Sequence, residues 1–97
     1  MVSVMSLRIR VLLHANFREI VGRRDVLEEV DSNSTLKHVL DKLTRKYGGE
    51  FGQVIDSRSG TVSLEFLVSL NGRVVRDADA KLNNGDILMI TIPAGGG

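Results

Sequence analysis

The sequence has no cysteine, no tryptophan and a single proline, and its aromatic residues are three phenylalanines and one tyrosine. The absence of cysteine excludes disulfides, a thiolate nucleophile and any zinc or iron–sulfur site with cysteine ligands, and it fits a reducing compartment. The aromatic residues are scattered along the chain, so they do not form the stacking platform on which single-stranded nucleic acids bind.

Charge is nearly balanced, with 13 lysines and arginines against 12 aspartates and glutamates and a formal net charge of +1. Binding to nucleic acid needs clustered basic residues and few acids, so no nucleic-acid partner is expected. No apolar run is long enough to span a bilayer, and the first residues lack the basic segment of a secretory signal. We therefore expect a soluble, cytoplasmic protein with no membrane partner.

The apolar fraction of 42% is typical of a folded protein, and 97 residues are enough for one domain with a modest core. We assign residues 1–6 to an N-terminal extension, 7–92 to the folded domain and 93–97 to a flexible glycine tail. No internal repeat, low-complexity segment or second domain boundary is evident.

Two strands separated by a short helical turn are predicted in the first third of the chain. Residues 7–13 alternate apolar and basic side chains, which is the period of a strand with one buried face. A helical turn over 15–22 follows, and Gly22 closes it. Its predicted anchors are Phe17, Ile20 and Val21. Residues 24–30 are predicted to pair with the first strand as a hairpin, with one face made of Val26, Glu28 and Val30.

The main helix is predicted to begin within a group of cap and turn formers at 31–34. Ser34 is expected to accept an amide hydrogen in the first turn, and Gly48 and Gly49 end the helix. Apolar residues recur at helical spacing: Leu36, Val39, Leu40, Leu43 and Tyr47. A buried Leu or Val contributes about 1.5–3 kcal/mol and a cap roughly 1 kcal/mol, so the apolar stripe decides that this helix lies on a sheet.

A connector and a third strand follow the helix. Residues 50–60 are predicted as the connector, with one helical turn around Phe51. Residues 64–70 are predicted as a strand with inward side chains at Leu64, Phe66, Val68 and Leu70. Asn71-Gly72 comes next and is the strongest short hairpin signal, because both positions favour positive φ.

The remaining elements complete one sheet. Residues 73–75 return as a short strand, 82–86 form a tight turn, and 87–92 form the last strand. This order predicts an α+β fold in which one main helix packs across a mixed sheet of four to five strands. The first and last strands are expected to lie side by side in the middle, with outward apolar residues at Leu12, Ile87 and Met89.

The C-terminal residues 93–97 carry the most distinctive chemistry. Pro93 has no amide hydrogen, so sheet pairing should stop there and the chain should leave extended. Gly95, Gly96 and Gly97 then bring a carboxylate to the end with no side chain beside it. Such a tail can thread a narrow slot, and its carboxyl carbon is open to attack. The alternative is an ordinary frayed terminus.

Other candidate sites are weaker. His14 and His38 lie on different elements without a supporting carboxylate pair, so no metal site is expected. We predict that a partner protein binds the outer sheet face, through His14, Val74, Met89 and Thr91 and with Leu12 as a further candidate. The alternative is scattered surface hydrophobic residues without a role. A basic edge could steer an acidic partner or simply be solvated: Arg8, Arg10, Arg18, Arg23 and Arg24.

The order of elements and the ending together resemble the β-grasp, the fold of ubiquitin. The resemblance is closest to the small sulfur carriers of the MoaD and ThiS type and to the archaeal ubiquitin-like modifiers. It covers residues 7–97 and rests on segment 15–22, Thr35-Leu36 at the helix start, Asn71-Gly72, the turn 82–88 and Gly96-Gly97. Eleven residues separate Asp86 from the end, as in the MoaD pattern.

Three positions depart from that pattern. Ile92 stands where a second proline is common, His14 where a phenylalanine is common, and Gly95 where a larger residue is usual. These departures concern the identity of the partner and leave the position of the terminal carboxylate unchanged.

The resemblance implies that an E1-like enzyme uses ATP to adenylate the Gly97 carboxylate and that sulfur then replaces AMP to give a thiocarboxylate. The large subunit of molybdopterin synthase, or another sulfur acceptor, would consume it. The carrier would be no enzyme and would bind no cofactor or metal. The first alternative is a protein modifier joined to target lysines through Gly97, and the second is a binding-only β-grasp module.

Overall fold

The computed structural model describes residues 6–92, so the predicted tail and residues 1–5 lie outside the described part of the chain. The strands are β1 (Ser6–Leu13), β2 (Asp25–Asp31), β3 (Ile55–Asp56), β4 (Thr61–Val62), β5 (Leu67–Leu70), β6 (Arg73–Val74) and β7 (Ile87–Thr91). The helices are α1 (Ala15–Val21) and α2 (Leu36–Tyr47), and a 3-10 helix follows at Gly49–Gln53. Within these residues no helix has the length and apolar character that crossing a membrane requires.

Five strands form one mixed sheet in the order β2-β1-β7-β5-β6. The central pair, β1 and β7, is parallel, and the β1–β2, β5–β7 and β5–β6 pairs are antiparallel. The first and last strands therefore lie side by side in the middle, and the predicted α+β β-grasp fold is confirmed.

The core lies between this sheet and α2, as the two periodicities predict. On β1 the alternate residues Ile9, Val11 and Leu13 are buried, and on α2 the buried stripe is Leu36, Val39, Leu40 and Leu43. Leu88 and Ile90 of β7 complete the centre. Each of these side chains contributes about 1.5–3 kcal/mol by leaving water, so their burial fixes which sheet face the helix covers.

The start of α2 differs from the prediction, because Thr35 and not Ser34 is the N-cap. Ser34 is buried in the preceding turn, where its amide donates to the Asp31 carbonyl at 2.9 Å. The Thr35 amide donates to Nδ1 of His38 at 3.0 Å, as one half of a capping box. The first helical amides find partners on the loop before β7, since Leu36 and Lys37 donate to the carbonyls of Ala80 and Ala78.

Strand β5 begins three residues later than predicted, and Leu64 is 81% exposed rather than inward. Ser63 causes the difference, since its carbonyl accepts the Phe66 amide at 3.0 Å and its hydroxyl accepts the Glu65 amide at 3.3 Å. A serine that bonds nearby amides in this way favours a turn over a strand. The other three predicted inward residues, Phe66, Val68 and Leu70, do contact the core.

Two smaller predictions are also corrected. Ile20 is exposed, so α1 is anchored by buried Phe17 and half-buried Val21 alone. The predicted connector contains β3 besides its helical turn, and β3 forms a small hairpin with β4, which directly follows the connector. In the turn of this hairpin the Gly60 amide donates to the Asp56 carbonyl at 2.8 Å.

The two turns singled out in the sequence form one hydrogen-bonded unit. Asn71 and Gly72 have φ of 54° and 85°, as the predicted hairpin turn requires. The Asn71 amide group donates to Oδ1 of buried Asp86 at 2.8 Å, and its carbonyl oxygen Oδ1 accepts the Ile87 amide at 2.8 Å. Asp86 also accepts the Asn83 amide at 2.7 Å. The β5–β6 hairpin is thereby tied to the start of β7.

Candidate functional site

The strand that leads to the C-terminal tail is held on both sides. β7 pairs in parallel with β1 from Arg10↔Ile87 to Leu13↔Ile90, and it pairs with β5 from Leu70↔Leu88 to Leu67↔Thr91. Its inward residues, Leu88 and Ile90, are fully buried. The last described residues of the chain therefore leave from the centre of a packed sheet, which gives the following tail a fixed origin. The tail itself, Pro93 to Gly97, lies outside the described residues.

The outer face of the sheet carries a continuous row of side chains across four strands. Leu12 pairs with Met89, Met89 with Ser69, and Ser69 with Val74. Residues that are paired across a sheet share one face, and this row alternates with the buried residues beneath α2. Val74 is 61% exposed, whereas Met89 and Leu12 are half-buried by their neighbours.

The structure brings together most of the residues nominated as a partner-binding face. Met89 and Val74 belong to the row just described, and Thr91 is the next outward residue along β7 and pairs with Leu67. His14 is exposed, directly follows β1 and caps the start of α1 with an extended backbone. Because Leu13 pairs with Ile90, His14 and Thr91 lie at the same end of the sheet, where the tail begins.

Two outward residues belong to this surface and were not nominated. Leu67 is 38% exposed beside Thr91, and Ile87 is 42% exposed on β7 two residues before Met89. The sequence already predicts Ile87 as an outward apolar residue, and its alternation with Met89 and Thr91 on β7 places it on the same face as the predicted partner-binding residues. We name as the apolar face the set Leu12, Leu67, Val74, Ile87, Met89 and Thr91.

The other half of the outer face is charged. Arg8 and Arg10 project from β1, and Asp25, Glu29 and Asp31 occupy the alternate positions of β2. Arg10 and Asp25 approach to 3.7 Å, but both side chains are about half exposed, so their pairing adds little stability. Leu27 is exposed within this half and pairs with Arg10. The outer surface thus has an apolar side near the tail strand and a charged side at the β2 edge.

No geometry for metal binding is found in the part of the chain from 6 to 92, where no three acidic or histidine residues cluster. His38 takes part in the capping box of α2, and His14 lies beyond the end of β1.

Comparison with known proteins identifies relatives of this chain. A family model described as the ThiS family matches residues 11–97. Small archaeal modifier protein 3 of Haloferax volcanii is 34% identical over 96 residues, which cover 96% of this chain and 100% of that protein. A solution structure of a Haloferax volcanii protein has 29% identity and a TM-score of 0.80, over 95% of this chain and 88% of that one.

A more distant structure shares the fold. Molybdopterin converting factor subunit 1 of Pyrococcus furiosus is 18% identical with a TM-score of 0.74, over 91% of this chain and 99% of that one. The family match spans most of the chain, and the modifier protein is covered along its whole length. The chain therefore belongs to the ThiS/MoaD family of ubiquitin-fold proteins.

Proposed function

We propose that this chain is a sulfur carrier for molybdopterin biosynthesis. An E1-like enzyme adenylates its Gly97 carboxylate with ATP, and a sulfur donor then converts the adenylate to a thiocarboxylate. The observation that carries the proposal is that the ThiS family match extends to Gly97, so the terminal diglycine belongs to the matched region.

The chemistry needs little from the carrier itself. Adenylation joins a Gly97 carboxylate oxygen to the α-phosphate of ATP and releases pyrophosphate. A sulfur nucleophile then attacks the carbonyl carbon, a C–S bond forms, and the C–O bond to AMP breaks. Attack at that carbon requires an unhindered end held in line within the enzyme's site. The three glycines leave the end unhindered. The packed strand β7, together with docking of the apolar face on the enzyme, holds the end in line.

Molybdopterin is the favoured product because segment 15–22 and the turn 82–88 resemble the MoaD pattern. The acceptor would then be the large subunit of a molybdopterin synthase. The chain would bind no cofactor of its own, since ATP is consumed in the activating enzyme.

A second candidate function is protein modification, in which the activated Gly97 forms an isopeptide bond with a lysine of another protein. The full-length match to small archaeal modifier protein 3 favours it. Both functions pass through the same adenylate, so one chain can serve both.

The intact mass of protein purified from its native cells tests the proposal. A carrier is expected to show a fraction of molecules whose terminal carboxylate has exchanged one oxygen for sulfur, and that fraction should react with iodoacetamide. A modifier is expected to leave glycine remnants on lysines of other proteins. Finding neither product while the activating enzyme is present would leave a binding-only module.

The apolar face gives a prediction of its own. Val74→Asp is expected to lower kcat/KM for adenylation by about tenfold or more, because a charge in a desolvated contact costs about 1.4 kcal/mol or more. The matched control is Leu27→Asp, since Leu27 is 58% exposed on the same sheet face but in the charged half. That control is expected to keep kcat/KM near the parent value. Equal losses in the two variants would contradict the assignment of the apolar face.

A further inference from the structure

A buried carboxylate holds two of the four lysines of the chain. Glu28 points inward from the edge strand β2, and its side chain is only 1% exposed. Lys46 Nζ donates to the Glu28 carboxylate oxygens at 2.9 and 3.2 Å, and Lys42 Nζ lies 3.6 Å from the same group. Lys42 also donates to the Glu29 backbone carbonyl. The two lysines are four residues apart on α2, so both face β2.

This arrangement ties both amines to a buried carboxylate. A carboxylate taken out of water needs its cationic partners, and removing them is strongly destabilising. The hydrogen bond from Lys46 to Glu28 raises the pKa of Lys46, although burial acts in the opposite direction. An amine held by a carboxylate must leave that partner, as well as lose a proton, before it can attack a carbonyl carbon, so contact with Glu28 makes a lysine a poorer nucleophile than an unpaired one.

The other two lysines are differently placed. Lys37 and Lys81 are exposed, and within residues 6–92 neither side chain forms a salt bridge or hydrogen bond. They lie at one corner of the molecule, because Lys81 forms a bridge with Thr35, and the Lys37 backbone amide donates to the Ala78 carbonyl at 2.9 Å. No carboxylate within the described residues holds either amine.

We propose that Glu28 withholds Lys42 and Lys46 from acyl transfer and leaves Lys37 and Lys81 as the acceptors for the activated Gly97 of a second copy of this chain. The inference rests on the second candidate function. In the transfer step the neutral Nζ attacks the Gly97 carbonyl carbon, a C–N bond forms, the C–O bond to AMP breaks, and the amine proton passes to solvent. ATP, consumed by the activating enzyme, drives the step.

The position of this corner allows such linkages to repeat. Lys81 precedes the turn that leads into the first residue of β7, whereas the tail follows the last residue of the same strand. Because the acceptor copy reacts through a lysine, its own Gly97 stays unused and can be activated in turn. A head-to-tail contact of this kind is heterologous and forms open chains rather than closed dimers.

Chemical labelling tests the reactivity of the lysines without any enzyme. The folded protein is treated with a limiting amount of the N-hydroxysuccinimide ester of acetic acid, and the acetylation of each lysine is measured by peptide mass spectrometry. Lys37 and Lys81 are expected to be acetylated several-fold faster than Lys42 and Lys46. In Glu28→Gln, checked for folding by its melting curve, Lys42 and Lys46 are expected to approach the rate of the other two. Equal rates at all four lysines of the parent protein would overturn the proposal.

Conjugation with the activating enzyme and ATP tests the acceptor sites directly. The double variant Lys37→Arg/Lys81→Arg is expected to lose self-conjugates, because arginine does not accept the acyl group. Its matched control, Lys42→Arg/Lys46→Arg, keeps two cations beside Glu28 and is expected to form self-conjugates as the parent does. Conjugates that persist in the first variant and vanish in the second would overturn the inference. If pyrophosphate release shows that no adenylate forms, the proposed function fails, whereas adenylation without self-conjugates rejects the acceptor sites alone.

Discussion

A chain that lacks Gly97 is expected to fold with a nearly unchanged melting temperature and to be inert toward its activating enzyme. Gly97 has no side chain to add to a core, and the buried core residues of the described chain run from Ile9 to Ile90. The truncated chain still ends in a carboxylate, but one residue short of the carbon that must meet ATP. Reaction within an enzyme site depends on placing the reacting atoms about 3–3.5 Å apart, and one missing residue moves them by roughly 3.4 Å.

ATP–pyrophosphate exchange catalysed by the activating enzyme measures this effect, and a thermal melt measures the fold. Gly97→Ala is the matched control, because it keeps the length and the carboxylate and adds one methyl group beside the reacting carbon. We expect Gly97→Ala to be adenylated slowly and the truncated chain not at all. Unimpaired exchange by the truncated chain would show that the terminal carboxylate is not the group that is activated.

The arrangement of the sheet and the main helix could be predicted because their hydrophobic patterns repeat over many residues. Residues 7–13 alternate over a whole strand, and the stripe from Leu36 to Leu43 covers two helical turns, so each buried face is fixed several times over. Strands β3 and β4 have two residues each, which is too short for any alternation to be visible. The sequence predicts that β5 begins at Leu64 because Leu64, Phe66 and Val68 stand at alternate positions. Two local hydrogen bonds to Ser63 form a turn there instead, so the strand begins at Leu67.

The site could be predicted only in part, because a docking surface depends on which strands are neighbours. Met89 and Val74 are adjacent through Ser69, and that register follows from strand order and not from spacing along the chain. Leu67 was missed for the same reason, since its proximity to Thr91 appears only when β5 lies beside β7. The terminal glycines are a local signal, so the sequence alone could single them out.

The contacts of Glu28 could not be predicted from the sequence. Glu28 is a charged residue between Val26 and Val30 on the inward face of β2, so it interrupts an otherwise apolar face. The residues that satisfy it, Lys42 and Lys46, lie 14 and 18 positions later on another element. Inward charges of this kind also discourage an edge strand from pairing with another chain, and β2 is an edge of the sheet. The irregularity in the sequence is therefore a paired and buried group in the structure.

Phe17→Ala is expected to destabilise the fold strongly, because it removes the buried side chain that anchors α1 in the core. Phe17 is fully buried, and its ring centre lies 4.8 Å from that of Phe51 and 5.7 Å from that of Phe66. Replacing a buried phenylalanine with alanine costs about 3–5 kcal/mol through lost transfer energy and the cavity that remains. Small domains have about 5–15 kcal/mol of unfolding free energy in total, so this variant should be marginally folded.

Urea unfolding followed by circular dichroism measures the difference. The matched control is Leu64→Ala, which removes an apolar side chain from an exposed turn and is expected to change the unfolding free energy by less than about 0.5 kcal/mol. The contrast separates burial from hydrophobicity, because both substitutions remove a large apolar group. A loss for Phe17→Ala as small as that of the control would mean that α1 does not pack into the core. The single helical turn after β1 would then be a surface feature, and the Phe17, Phe51 and Phe66 rings would not form the cluster that joins α1 to the 3-10 helix.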